Sequence, residues 1–124
     1  VYSTDICVPI SNITECVNFA EEQAEKFGLR APMVGHLGDG NFHVILPYDP
    51  AKKEMYDRIR EFNDLLIKKG LELKGTITGE HGVGLHKKKY LLEQHADNMP
   101  VMKSIKRTLD SNNIMNPGKI FDLN

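Results

Sequence analysis

Apolar residues recur along this chain with two periods, and each change of period marks a change of element. Residues 3–8 alternate loosely and stop at Pro9, which predicts a strand that ends there. Ile13, Cys16, Val17, Ala20, Ala24 and Phe27 then fall three or four apart, the spacing of one helix face. Asn12 can cap this helix with Glu15 completing a capping box, and Gly28 follows the last turn. Further on, apolar runs flank Asp39-Gly40, a pair favoured in two-residue type I′ turns. They predict a hairpin with strands near 32–37 and 42–47, Leu37 opposite Phe42 and His36 opposite His43. Helical spacing returns at Met55, Ile59, Phe62 and Leu66, opened by Asp49-Pro50 and closed by Gly70. A short extended segment over 71–78 and a helix over 85–94 come next. Pro100 opens a last helix with the stripe Val101, Ile105 and Leu109 and Met102 beside it.

The order β-α-β-β-α is most of a ferredoxin-like split βαβ unit, so the fold class is α+β. The antiparallel sheet carries its helices on one face, and further helices follow at the C-terminus. Hairpin parity gives the helix-covered face Leu37, Phe42, Val44 and Leu46. Val34, His36, His43 and Ile45 lie on the other, a mixed surface too apolar to face water without reason. Another domain, another chain or a ligand is expected to cover it. Met55 and Met102 read as core residues, and His95 as a surface residue near a helix end.

With 124 residues the chain supports one small domain. A net charge of -1 with 27% charged residues gives no reason to expect nucleic acid as a partner. No apolar run approaches the roughly 20 residues of a spanning helix. The sequence opens on Val1 and shows no signal peptide, so it reads as an excised segment. Cys7 and Cys16 have neither metal nor redox spacing and read as buried thiols of a reducing compartment.

Candidate chemistry sits in two glycine-rich windows, Gly35–His43 and Thr78–Gly84. Together they hold six of the ten glycines and three of the five histidines. His36 and His43 on one sheet face can converge on a metal ion, or can simply pack or face water. Glu80 is a candidate third ligand, completing a two-histidine, one-carboxylate set with an open position for substrate. His81 would then be free to act as a base near neutral pH. Taken alone, Gly79-Glu80-His81-Gly82 also reads as an ordinary loop. Asn41 either hydrogen-bonds a substrate or flavin, or favours the turn conformation.

Three stretches in order resemble the C-terminal domain of FAD-linked oxidases. They are Gly35-His36-Leu37-Gly38-Asp39-Gly40-Asn41-Phe42-His43, Gly75-Thr76-Ile77-Thr78-Gly79-Glu80-His81-Gly82-Val83-Gly84, and Asn116-Pro117-Gly118-Lys119. These are flavoproteins of the vanillyl-alcohol-oxidase type, and the likeness is nearest to D-lactate dehydrogenases and the glycolate oxidase FAD subunit. It runs from Thr4-Asp5-Ile6-Cys7-Val8-Pro9 to the tail. The resemblance implies an FAD-dependent dehydrogenase that oxidises a small 2-hydroxy acid. It also implies a divalent metal, usually zinc, on the positions of His36, His43 and Glu80, with His81 as the base. Asn116 and Lys119 match positions near the flavin.

The FAD-binding domain of such enzymes is absent from this stretch, as is the first part of the substrate domain, where relatives keep an arginine for the substrate carboxylate. Without a domain to hold the hydride acceptor, the 124 residues alone are expected to be inactive. That missing domain would also be the expected cover for the mixed sheet face. Ile45 stands where the hydroxyglutarate-oxidising branch has asparagine, which points to lactate or glycolate. The cellular setting implied is the bacterial cytoplasm or the mitochondrion. The electron acceptor and a homodimeric state stay open. Two other classes fit the residues: a ferredoxin-like binding module without chemistry, and a zinc hydrolase in which His81 activates water.

Overall fold

The computed structural model describes residues 1–123. The chain divides into two compact units, residues 1–81 and residues 82–124. In the first unit the strands are β1 (Tyr2–Ser3), β2 (Ile6–Cys7), β3 (Met33–His36) and β4 (Asn41–Leu46). Helix α1 (Ile13–Lys26) separates β2 from β3, and α2 (Lys53–Glu72) follows β4. The sheet is antiparallel and β4 is its centre, with β3 on one side and both β1 and β2 on the other. The α+β architecture expected from the hydrophobic periods is the one observed.

The single strand expected over residues 3–8 is broken in two. Tyr2 pairs with Leu46 and Ile6 with Phe42, so one register runs through the break. At the break Thr4 keeps half of its ladder pairing, its N–H donating to Val44 O at 3.1 Å. The Val44 N–H donates to Thr4 Oγ1 at 2.8 Å, not to the Thr4 carbonyl. That carbonyl is thereby released for another partner.

The hairpin also differs from its expected form. His36 lies opposite Asn41, Gly35 opposite Phe42 and Val34 opposite His43. The connection is four residues, a 3-10 turn over Leu37–Asp39 closed by Gly40 in the left-handed region at φ 77°. Asp39 does not adopt the positive φ that a type I′ turn demands. Only glycine serves at position 40, because a Cβ there would strike the Val8 carbonyl, and Val8 N–H donates to Gly40 O at 2.9 Å. A two-residue shift in register preserves which face each side chain takes. His36 and His43 therefore still share a face, as diagonal neighbours and not as a directly opposed pair. Leu37 does not join the core: it sits in the turn and is exposed.

Phe42, Val44 and Leu46 of β4 are buried with Ile6 and Val8, against Cys16, Ala20 and Ala24 of α1 and Ile59, Phe62, Leu66 and Ile67 of α2. Phe27 meets Phe62 edge-to-face at 6.4 Å. Gly70 does not end α2 but lies inside it, where a Cβ would collide with the Ile6 side chain. The capping box is not formed either. Asn12 Nδ2 donates to Leu73 O at 2.9 Å, and Glu15 pairs with Lys69 at 2.5 Å. Met55 is half-buried, not core.

Beyond α2 the chain turns at Lys74 and returns beside β2, where Thr76 N–H donates to Cys7 O at 2.7 Å. Ile77 is buried and anchors the loop that follows. The second unit contains α3 (Lys88–His95) and α4 (Met99–Leu109), with Tyr90, Leu91 and Met99 buried. Its tail is tied by Lys88, which contacts Asp122 at 2.6 Å and Gly118 O at 3.1 Å. Met102 in α4 is half-buried, and the stripe Val101, Ile105 and Leu109 is exposed.

Candidate active site

His43 is the fixed point of the site. It lies at the centre of β4 and is buried, and its Nδ1 is 3.0 Å from the carbonyl of Thr4. A carbonyl can only accept, so Nδ1 carries the hydrogen and Nε2 presents its lone pair outward. The carbonyl is available because the Thr4 hydroxyl has taken its place in the β-ladder. Metal-binding imidazoles usually have their remote N–H held in this way by a carbonyl or carboxylate, which fixes the tautomer and the ring orientation.

Glu80 Oε1 lies 2.9 Å from His43 Nε2. Two lone pairs that close repel unless a cation, either a proton or a metal ion, lies between them. His36 Nε2 reaches the other carboxylate oxygen, Glu80 Oε2, at 3.9 Å. Ligands about 2.1 Å from a tetrahedral ion stand about 3.4 Å apart. Both imidazoles thus lie near the Glu80 carboxylate, each beside a different oxygen, and gathering all three on one ion would take side-chain rotations. His36 and Glu80 are 65% and 49% exposed at the side chain, which leaves room for those rotations and for a substrate.

His81 packs its ring on that of His43, with centroids 4.8 Å apart and planes 8° from parallel. Its Nε2 is 3.9 Å from Glu80 Oε1. Among the described residues, Asp5, His43 and His81 are the set whose ligand atoms all lie within 4.8 Å of one another. The chemistry of Asp5 argues against that alternative set. Asn41, Thr78 and the backbone N–H groups of Gly79, Glu80 and His81 all donate to its carboxylate, and these donors occupy the lone pairs an ion would need.

The sequence-predicted residues divide accordingly. His36, His43, Glu80 and His81 come together on one face of the first unit. Asn41 is buried beside them and donates its amide to Asp5 at 3.0 Å and to Ile6 O at 2.9 Å. Asn116 and Lys119 belong to the second unit, where they frame an exposed turn. Thr4 and Asp5 were not anticipated as site residues. Their one local signal is a threonine and an acid in the middle of an otherwise apolar strand pattern, at a position that should have been core. Cys7 stands next to this region, and burial with the nearby Asp5 and Asp39 charges raises its thiol pKa, so it is a poor nucleophile.

The site is thus an α+β module whose antiparallel sheet and following loop gather two imidazoles and a carboxylate, with a third imidazole stacked alongside. The comparisons then place it: residues 1–120 match the family model for the C-terminal domain of FAD-linked oxidases, and the chain belongs to that family. It is 40% identical over 123 residues to a probable mitochondrial D-lactate dehydrogenase of Danio rerio, covering 98% of this chain and 25% of the relative. A mitochondrial D-lactate dehydrogenase (cytochrome) of Arabidopsis thaliana is 41% identical over 119 residues, 95% of this chain and 21% of that protein. The glycolate oxidase subunit GlcD of Bacillus subtilis is 38% identical over 118 residues, covering 94% and 25%. The chain thus spans a quarter or less of the length of these relatives.

Proposed function

We propose that this chain is the substrate-binding C-terminal domain of an FAD-dependent dehydrogenase that converts a small 2-hydroxy acid, D-lactate or glycolate, to its 2-oxo acid. The observation that carries the proposal is His43, whose Nδ1–H is spent on Thr4 and whose Nε2 faces Glu80 at 2.9 Å. The names of the relatives, D-lactate dehydrogenase and glycolate oxidase subunit, supply the substrate class.

In this reading His36 Nε2, His43 Nε2 and the Glu80 carboxylate hold a divalent ion, zinc by the chemistry of the donor set. A bound ion would supply Lewis-acid polarisation of the substrate oxygens, and a bound flavin would supply the hydride acceptor. His81 accepts the hydroxyl proton on its imidazole as the α-carbon becomes a carbonyl. Its stacking on His43 keeps the accepting ring beside the ligand set, so the proton leaves close to where the substrate oxygen is held. Asn41 supports the substrate pocket through its carbonyl oxygen, its amide hydrogens being committed to Asp5 and Ile6. Ile45, half-buried on the same face, gives the pocket an apolar wall that suits lactate or glycolate better than a dicarboxylate.

Asn116 and Lys119 are assigned to the flavin, which a separate FAD-binding domain of the same protein would hold. The 124 residues alone are accordingly proposed to be inactive. The bacterial cytoplasm or the mitochondrion is the proposed setting, two of the relatives being mitochondrial proteins. No helix among the described residues is long and apolar enough to cross a membrane. The test is turnover of D-lactate and glycolate with a dye acceptor by the flavin-loaded full-length protein, before and after chelation. Turnover of one or both, lost with the metal and restored by zinc, is expected. Full turnover in metal-depleted protein would rule out the assigned ligand roles.

A further inference from the structure

Asp5 carries a carboxylate into the interior with no exposed side-chain surface, and the loop that bears Glu80 and His81 is folded around it. Its Oδ2 accepts from the Thr78 hydroxyl at 2.5 Å and from the backbone N–H groups of Gly79 and His81, each at 2.9 Å. The Glu80 N–H is shared at 3.2 Å between both oxygens, and Asn41 Nδ2 donates to Oδ1 at 3.0 Å. Three successive amides converging on one carboxylate form a nest, a concavity that favours an anionic oxygen at its centre. Because Glu80 and His81 turn their N–H groups inward, their side chains leave in the other direction. One goes to His43 Nε2 and the other onto the His43 ring. Position 79 must be glycine, since a Cβ there would collide with the Asn41 amide that completes the cradle. His43 is tied to the same dipeptide, through the carbonyl of Thr4 and with Asp5 Oδ1 at 3.7 Å from its Nδ1.

We propose that Asp5 is a positioning residue of the site: its buried carboxylate clamps the Gly79–His81 backbone and so sets where Glu80 and His81 stand relative to His43. The inference rests on the reading of Glu80 as a metal ligand and His81 as the base. An asparagine at position 5 would offer one uncharged acceptor oxygen and turn its NH2 either toward the backbone N–H groups or toward Asn41 Nδ2, so Asp5→Asn weakens the clamp with little change in volume.

The experiment uses the flavin-loaded full-length protein, with zinc as the probe, well below the melting temperature. In Asp5→Asn, amide hydrogen exchange at 79–81 should accelerate at least tenfold while residues 41–46 keep wild-type protection. Zinc affinity by chelator competition should fall about 10–100-fold, the usual effect of losing an outer-shell partner. At saturating zinc, kcat should stay depressed while KM moves less, because His81 remains misplaced. Thr78→Val, which removes one donor, should shift all three readouts a few-fold in the same direction. It decides the matter alone if Asp5→Asn does not fold. Wild-type exchange at 79–81, or a loosened loop with wild-type zinc affinity and kcat, overturns the proposal. A wild-type protein that binds no zinc instead refutes the ligand reading, and the exchange data still show whether Asp5 holds the loop.

Discussion

Helices α2 and α4 are both amphipathic, yet they meet opposite fates. In α2 the apolar stripe Ile59, Phe62 and Leu66 is fully buried, whereas Val101, Ile105 and Leu109 in α4 are 61%, 56% and 73% exposed. The difference lies in what faces each stripe. The first unit supplies a sheet whose central strand offers Phe42, Val44 and Leu46, so it completes its own core. The second unit has no strand among the described residues, and its buried apolar side chains reduce to Tyr90, Leu91 and Met99. A helical period reports that a face is apolar; it does not report that the same segment of chain will cover it. The clustered histidines and acids belong to the unit with the complete core, where packing can hold a buried carboxylate and an imidazole in place.

Histidine replacements test this contrast most sharply. His81→Ala, in the first unit, should lower turnover of a 2-hydroxy acid by about 10²–10⁴-fold, the range for losing a general base. His95→Ala, in the second, should leave the rate unchanged. Steady-state rates of the flavin-loaded full-length variants decide it, and equal losses would remove the distinction between the units.

Core truncation gives the next effect. Phe62→Ala should cost about 3–5 kcal/mol, because a large buried ring is removed. Ile105→Ala should fall within about 0.5 kcal/mol of wild type, as exposed substitutions do. Urea unfolding followed by segment-resolved hydrogen exchange separates the two. A large penalty at Ile105 would mean that α4 is covered in the full-length protein.

How much of this was legible in the sequence differs from element to element. The α2 stripe was readable because its period coincides with burial. Face parity in the hairpin was readable as well, since a two-residue error in register leaves parity intact. The turn itself was misread: Asp39-Gly40 suits a type I′ turn, but the docking of Gly40 against Val8 favours a 3-10 turn with glycine at its end. Asp5 was not legible, because its role depends on a loop some 75 positions away that folds back onto it. Local pattern carries no information about such a contact. Glu80 and His81 stood out through their glycine-rich setting, although what directs them is the hidden carboxylate.

The smallest expected effect is a pH dependence in the second unit. A hydrogen bond from Lys106 and backbone N–H donors from Ile114 and Met115 hold the Asp110 carboxyl below the ordinary carboxylate range. A depressed carboxylate stabilises the fold above its unfolded pKa of about 3.9, and that contribution is lost as pH falls through the lower folded value. Exchange protection across 110–116 should therefore weaken below about pH 4, with the first-unit strands as internal reference. Asp110→Asn should weaken protection across 110–116 already at neutral pH and flatten the acid response.

The most direct measurement is X-ray absorption at the zinc edge of the zinc-loaded full-length protein, compared with its His43→Ala variant. Two imidazole nitrogens at about 2.0–2.1 Å and a carboxylate oxygen at about 2.0–2.2 Å are expected in the wild type, with zinc lost from the variant. Zinc retained in His43→Ala with an unchanged spectrum, or a coordination shell without imidazole, would contradict the assignment of His36, His43 and Glu80 as the ligands.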